Sequence, residues 1–160
     1  MIIETLKIIE PNCTKVNLVK NENNSEGFVI HTVAEDKPIP LNSMGDGMLR
    51  IFQLALNAIS ANGGFLLIDE FENGLHYSIQ EKVWSWLFDL AAFLDIQIFA
   101  TTHSWDSVES FSKVASKKNG EGVLFRVGRG IKTSDIGKIV ATEFDEEELA
   151  IITQDDVEVR

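Results

Sequence analysis

The chain has 160 residues, a formal net charge of −11, 44% hydrophobic and 24% charged residues, and one cysteine, Cys13. That length suits one domain, 1–160, burying about two thirds of its unfolded surface. A lone thiol excludes an internal disulfide or a cysteine-built zinc site and favours a reducing, cytoplasmic setting. The acidic balance argues against direct nucleic-acid binding, which takes clustered Lys and Arg.

No window holds the ~18 to 20 apolar residues of a membrane span, and no basic segment followed by an apolar one suggests export. Eight acids between Glu143 and Arg160 concentrate the negative charge. They read as a solvated terminal helix and tail, with no function assigned.

In chain order, KVNLV (15–19) and GFVIHTV (27–33) predict two strands, with NENNSE between them as a turn, so 1–36 is a β-hairpin region. KPIPLNSMGDG (37–47) predicts a loop, because proline restricts both itself and its predecessor. MLRIFQLALNAISA (48–61) predicts a helix buried on several sides, ended by Asn62, Gly63 and Gly64.

FLLID (65–69) predicts a strand covered on both faces of a parallel sheet. The run 77–94 predicts a helix with Ile79, Val83, Trp86, Leu87 and Leu90 on its buried face. IQIFA (96–100) predicts a second buried strand, and WDSVESFSKVASKK a shorter helix. The strands in EGVLFRV and KIVATEF, separated by GRGIKTSDIG, close the fold as a hairpin in 117–160. Alternating strands and helices argue for an α/β fold with parallel core strands.

The chemistry concentrates in 37–116. Asp69 and Glu70 end a buried strand, where open α/β sheets bind ligands. In NTPases the first such carboxylate holds Mg²⁺ and the second orients or deprotonates the attacking water. A strand that simply ends in polar residues is the bland alternative. SMGDG (43–47) opens the long helix, so its backbone N–H groups could face an anion, or Ser43 or Asp46 could cap the helix. ENGLH supplies a glycine turn and His76. ATTHS ends the next strand, so His103 should emerge at the same edge as the acids.

In that order and spacing, PLNSMGDGMLR, FLLIDEFENGLH and IFATTHSWD resemble the C-terminal half of ABC-type ATPases of the AAA_15/AAA_21 group. These are relatives of the OLD-family and SMC-like ATPases. The resemblance covers about Pro40 to Asp106 and extends more weakly to GVLFRV, KIVATEFDEEELAI and VEVR. It implies part of a P-loop NTPase sheet, flanked by helices and carrying an N-terminal and a C-terminal β-hairpin.

The resemblance also implies roles. Ser43, Gly45, Asp46 and Gly47 lie in the signature loop that touches a γ-phosphate held mainly by a second subunit. Asp69 (the Mg²⁺ side) and Glu70 (the catalytic carboxylate) form Walker B. Glu72, Asn73, Gly74 and His76 belong to the D-loop region at the dimer interface. His103 is the switch histidine that senses the γ-phosphate. The implied cofactors are ATP and Mg²⁺, in a completed site.

The family's phosphate-binding loop, GxxxxGK[ST], is absent from the 160 residues. The nearest approach puts Lys132 where the first glycine belongs and Ile139 after Gly137–Lys138, so 128–139 reads as a hairpin turn. The chain begins where the family's second half begins. In that fold the strand before the missing loop lies beside IQIFA, so its absence would expose an apolar strand edge.

Three readings follow. The chain is half of a split ATPase, with another copy or a partner bearing Walker A completing it, or a domain cut from a longer protein, with ATPase activity only when complemented. Alternatively it is a non-hydrolysing remnant or regulatory module. In the third, Asp69, Glu70, Glu72, His76 and His103 form a divalent-metal phosphoesterase site; no DxD accompanies them.

Overall fold

The computed structural model describes residues 2–20, 26–118, 121–130 and 136–154. It divides into two compact units, Met1–His103 and Ser104–Arg160.

The first unit opens with a short helix, α1 (Ile2–Leu6), which the strand-like reading of the N-terminus misses. An antiparallel sheet follows, built from β1 (Cys13–Lys20), β2 (Glu26–Thr32) and a two-residue β3 (Ile39–Pro40). The hairpin of β1 and β2 agrees with the alternating sequence, while most of its turn, 21–25, lies outside the described residues.

The expected loop 37–47 contains β3 and a 3₁₀ turn, Leu41–Met44. Proline suits both, since an edge strand and a turn need fewer backbone donors. Helix α2 (Asp46–Ser60) starts two residues earlier than expected and buries Met48, Ile51, Phe52, Leu54, Ala55 and Ala58. Leu6, Cys13, Ile30, Leu41, Met48 and Phe52 form one core cluster that joins α1, the sheet and α2.

Gly63 has a positive φ of 71° and donates its N–H to the Leu94 carbonyl, turning the chain into β4 (Phe65–Ile68). β4 pairs in parallel with β5 (Gln97–Ala100), Ile68 opposite Ala100. Between them α3 (Tyr77–Leu94) matches its expected span.

Its buried face is rotated from the predicted one. Trp84 is buried and stacks on Phe71 with centroids 3.7 Å apart, whereas Trp86 is half-buried. The expectation that β4 is covered on both faces is also corrected. Leu66 and Ile68 are buried, but Phe65 and Leu67 are 67% and 79% exposed, and Phe99 is 49% exposed. Along β4 one face is buried and the other is bare.

In the second unit, α4 (Trp105–Ala115) and α5 (Glu146–Gln154) meet through a 3.1 Å hydrogen bond between the Ser112 and Thr153 hydroxyls. β6 (Leu124–Arg129) and β7 (Ile139–Phe144) form the expected antiparallel hairpin, with residues 131–135 of its turn outside the described residues. Asp145 starts α5 as a reciprocal cap: its carboxylate accepts from the Glu148 N–H, and the Glu148 carboxylate accepts from the Asp145 N–H. Part of the acidic segment therefore serves the helix, and 155–160 lie outside the described residues.

Candidate functional site

Parallel strands in register deliver their C-terminal ends to one edge. Thr101 follows β5 and faces the acids that follow β4. Its N–H donates to the Ile68 carbonyl at 2.9 Å, and its carbonyl accepts from the Phe71 N–H at 2.8 Å. The Thr101 hydroxyl donates to Asp69 Oδ1 at 2.6 Å and accepts from the Glu70 N–H at 3.0 Å. One side chain thus fixes both an Asp69 oxygen and the Glu70 backbone, while both acids remain exposed.

Glu70 has a φ of +47°, in the left-handed region. For a non-glycine residue that costs about 1 to 2 kcal/mol, so neighbouring contacts must hold it. Arg50, on α2, supplies two: its Nη2 donates to the Asp69 carbonyl at 2.9 Å and to the Glu70 carbonyl at 3.1 Å. Arg50 Nε is buried and has no partner among the described residues.

Gly74, with φ +75°, lies against the start of the same helix. A Cβ on Gly74 would stand 3.7 Å from Arg50 Cβ and 3.6 Å from the Asp46 carbonyl. A Cβ on Gly47 would stand 3.1 Å from the Gly74 carbonyl oxygen, closer than side chains normally come. SMGDG and ENGLH are therefore in backbone contact.

Neither Ser43 nor Asp46 caps α2. Gly45 is the N-cap residue and no side chain hydrogen-bonds there, because the Ser43 hydroxyl donates to the Pro40 carbonyl at 2.7 Å. Asn73 donates its N–H to the Glu70 carbonyl, closing a tight turn after the acids. His76 is the N-cap of α3, its Nδ1 accepting from the Ser78 N–H at 3.3 Å.

Glu72 points inward. Oε2 accepts from the Thr102 hydroxyl at 2.6 Å and Oε1 from the His103 N–H at 2.9 Å. Burial alone would raise the Glu72 pKa, but the Thr102 hydroxyl, two backbone N–H groups and the His103 charge together hold it below the ordinary carboxylate value. The His103 residue is exposed.

Residues 7–108, well over half of the chain, match the family model AAA_21, described as "AAA domain, putative AbiEii toxin, Type IV TA system". The chain belongs to the AAA_21 family. An "ATP/GTP phosphatase" of Helicobacter pylori is 29% identical over 105 residues, 62% of this chain and 27% of the relative. This AAA_21 chain thus spans about a quarter of the length of the curated relative it matches.

A solved structure described as "Structural biochemistry of ATP-driven dimerization and DNA stimulated activation of SMC ATPases" superposes with a TM-score of 0.65 at 13% identity. The superposition covers 99% of this chain and 90% of that one. The AAA_21 chain therefore has a P-loop NTPase-like α/β fold.

Of the residues expected at a site in this AAA_21 chain, Asp69, Glu70, Glu72, Asn73 and His103 lie around the ends of β4 and β5, and Asp46 and Gly47 lie against Gly74. His76 instead serves a helix cap. Among the described residues, no group of three or more His, Cys, Asp and Glu is placed to hold a metal by itself. No described helix is long and apolar enough to cross a membrane.

Arg50, Thr101 and Thr102 were missed as site residues. MLR and ATTHS signal their presence, but no spacing rule links Arg50 to carbonyls 19 and 20 residues away.

Proposed function

We propose that this chain is the ATP-binding half of an ABC-type ATPase site, supplying a signature loop (Ser43, Gly45, Asp46, Gly47), Walker B (Asp69, Glu70) and a switch histidine (His103). The observation that carries the reading is the meeting of three segments at one edge. β4 and β5 run in parallel register, and Gly47 packs against Gly74. The phosphate-binding loop, which these 160 residues lack, comes from chain outside them, either a partner polypeptide or a further segment of a longer one. The ATP-driven dimerization named for the SMC ATPases is in keeping with such an assembly.

The residues fit Mg²⁺ and a nucleotide. Mg²⁺ is usually held by one or two carboxylates, with water and phosphate oxygens completing its shell. Asp69 is exposed, with one oxygen already oriented by Thr101. When bound, Mg²⁺ would supply positive charge that offsets the charge developing on the transferred phosphate. Glu70 would orient the attacking water and accept its proton, and His103 would contact the γ-phosphate. The uncapped backbone N–H groups at the start of α2 favour an anion there. The bare face of Phe65, Leu67 and Phe99 also fits a further segment of chain packed over it.

Isothermal titration with Mg·ATP tests the reading. The isolated chain should give no micromolar binding, and binding should appear once a segment carrying the phosphate-binding loop is added. Micromolar binding by the monomer alone would overturn it. Glu70→Gln should trap a nucleotide-bound assembly, seen by gel filtration with ATP.

A further inference from the structure

The D-loop reading assigns Glu72 to a subunit interface, yet its carboxylate faces the chain's own next strand end. Its two oxygens accept from two successive residues, the Thr102 hydroxyl at 2.6 Å and the His103 N–H at 2.9 Å. Glu72 follows Phe71, which is itself held by the Thr101 carbonyl and by stacking on Trp84. The clip therefore starts from a buried, packed point and ends on an exposed one.

We propose that Glu72 is the positioning residue of His103: its carboxylate, bonded to Thr102 and to the His103 N–H, fixes where the imidazole leaves the sheet edge. The inference rests on the proposed role of His103 at a γ-phosphate. A sensor on a free loop would lose conformational entropy each time it engaged a ligand, and a pre-set backbone lowers that cost. A carboxylate suits the task because both oxygens accept and charge-assisted bonds are about twice as strong as neutral ones. Glutamine can keep both contacts only as neutral bonds, its amide oxygen accepting from the His103 N–H and its NH₂ donating to the Thr102 hydroxyl, so it loses the charge assistance.

Amide hydrogen exchange, followed by NMR on the full chain, tests the clip. In Glu72→Ala the His103 N–H should exchange at least about tenfold faster, the loss expected for one charge-assisted bond of roughly 1.5 kcal/mol or more. The Gln97 amide, which donates to the Gly64 carbonyl at the far end of the strand pair, should keep its rate. Glu72→Gln, which keeps the side chain's size, should fall between the two and carries the measurement if the alanine variant does not fold. A His103 exchange rate unchanged in a folded Glu72→Ala or Glu72→Gln chain overturns the proposal.

In the completed ATPase assembly, Glu72→Ala should lower kcat, Glu72→Gln should recover part of it, and Glu72→Ala combined with His103→Ala should be no slower than His103→Ala alone. Additive losses also overturn the proposal. An assembly without hydrolysis would refute the ATPase reading while the exchange rates still decide the clip.

Discussion

The Arg50 guanidinium donates to the backbone carbonyl of Glu70 at 3.1 Å and, through the same nitrogen, to that of Asp69 at 2.9 Å. Helix α2 is thus tied to the peptide that aims the acidic pair, and the tie opposes relaxation of Glu70 out of its left-handed conformation. Arg50→Ala should destabilise the chain by about 2 kcal/mol, the typical effect of losing hydrogen bonds from a charged donor. Arg50→Lys should recover only part, because the lysine side chain is one atom shorter than the path to Arg50 Nη2 and its ammonium is more strongly hydrated. Urea unfolding checks both. Equal stability of Arg50→Ala and the unsubstituted chain would show that the tie contributes nothing.

Thr101 joins the acids to the neighbouring strand through one hydroxyl that both donates and accepts. Thr101→Val keeps the shape and removes both bonds, whereas Thr101→Ser keeps the hydroxyl. The valine variant should lose about 1 kcal/mol of stability and weaken Mg²⁺-dependent nucleotide binding by the completed site. The serine variant should stay near the original on both. Thermal unfolding and titration calorimetry separate them.

Gly47→Ala sets helix propensity against a close backbone contact. Alanine in a helix is favoured over glycine by up to about 1 kcal/mol. Its Cβ, however, would lie 3.1 Å from the Gly74 carbonyl oxygen and 3.4 Å from Ile9 Cδ1. Ile9 can rotate; a backbone carbonyl cannot move without its turn. The substitution should push ENGLH away from α2, lowering both melting temperature and nucleotide-driven assembly. A rise in melting temperature with assembly intact would show that the turn gives way freely.

Glu72 predicts an acid-side pH dependence. Its folded pKa lies below the ordinary value of 4.5. A depressed carboxylate contributes stability that is full above the unfolded pKa and is lost as pH falls through the folded one. The stability difference between the original chain and Glu72→Gln should therefore be constant near neutrality, shrink below about pH 4.5, and vanish once Glu72 is protonated in the fold. Denaturant unfolding at a series of pH values reads this, and a difference independent of pH would contradict the sign.

Residues 65–76 were legible because apolar run, acids and glycine turn are local signals, and the span of α3 followed from its periodicity. The uncovered face of β4 was not. A continuous apolar run looks the same whether both faces are buried or one awaits a covering element, and only the exposure of Phe65 and Leu67 separates the cases. Trp84 and Trp86 are two residues apart on a helix with apolar residues around much of its circumference, so which indole meets Phe71 depends on a tertiary contact. α1 is five residues long, too short for a period to declare itself. The inward turn of Glu72 depends on which strand end it meets.

Glu70 stands at φ +47°, where glycine is at ease and glutamate is not. Selection for a stable fold alone would favour glycine or asparagine there, so the carboxylate works against the chain that carries it. Glu70→Gly should accordingly melt at a higher temperature while abolishing the chemistry proposed for this position. Stability and activity pull this single position in opposite directions, which makes residue 70 a sensitive marker: in a copy of this fold released from hydrolysis, it is the place where the acid would be lost first.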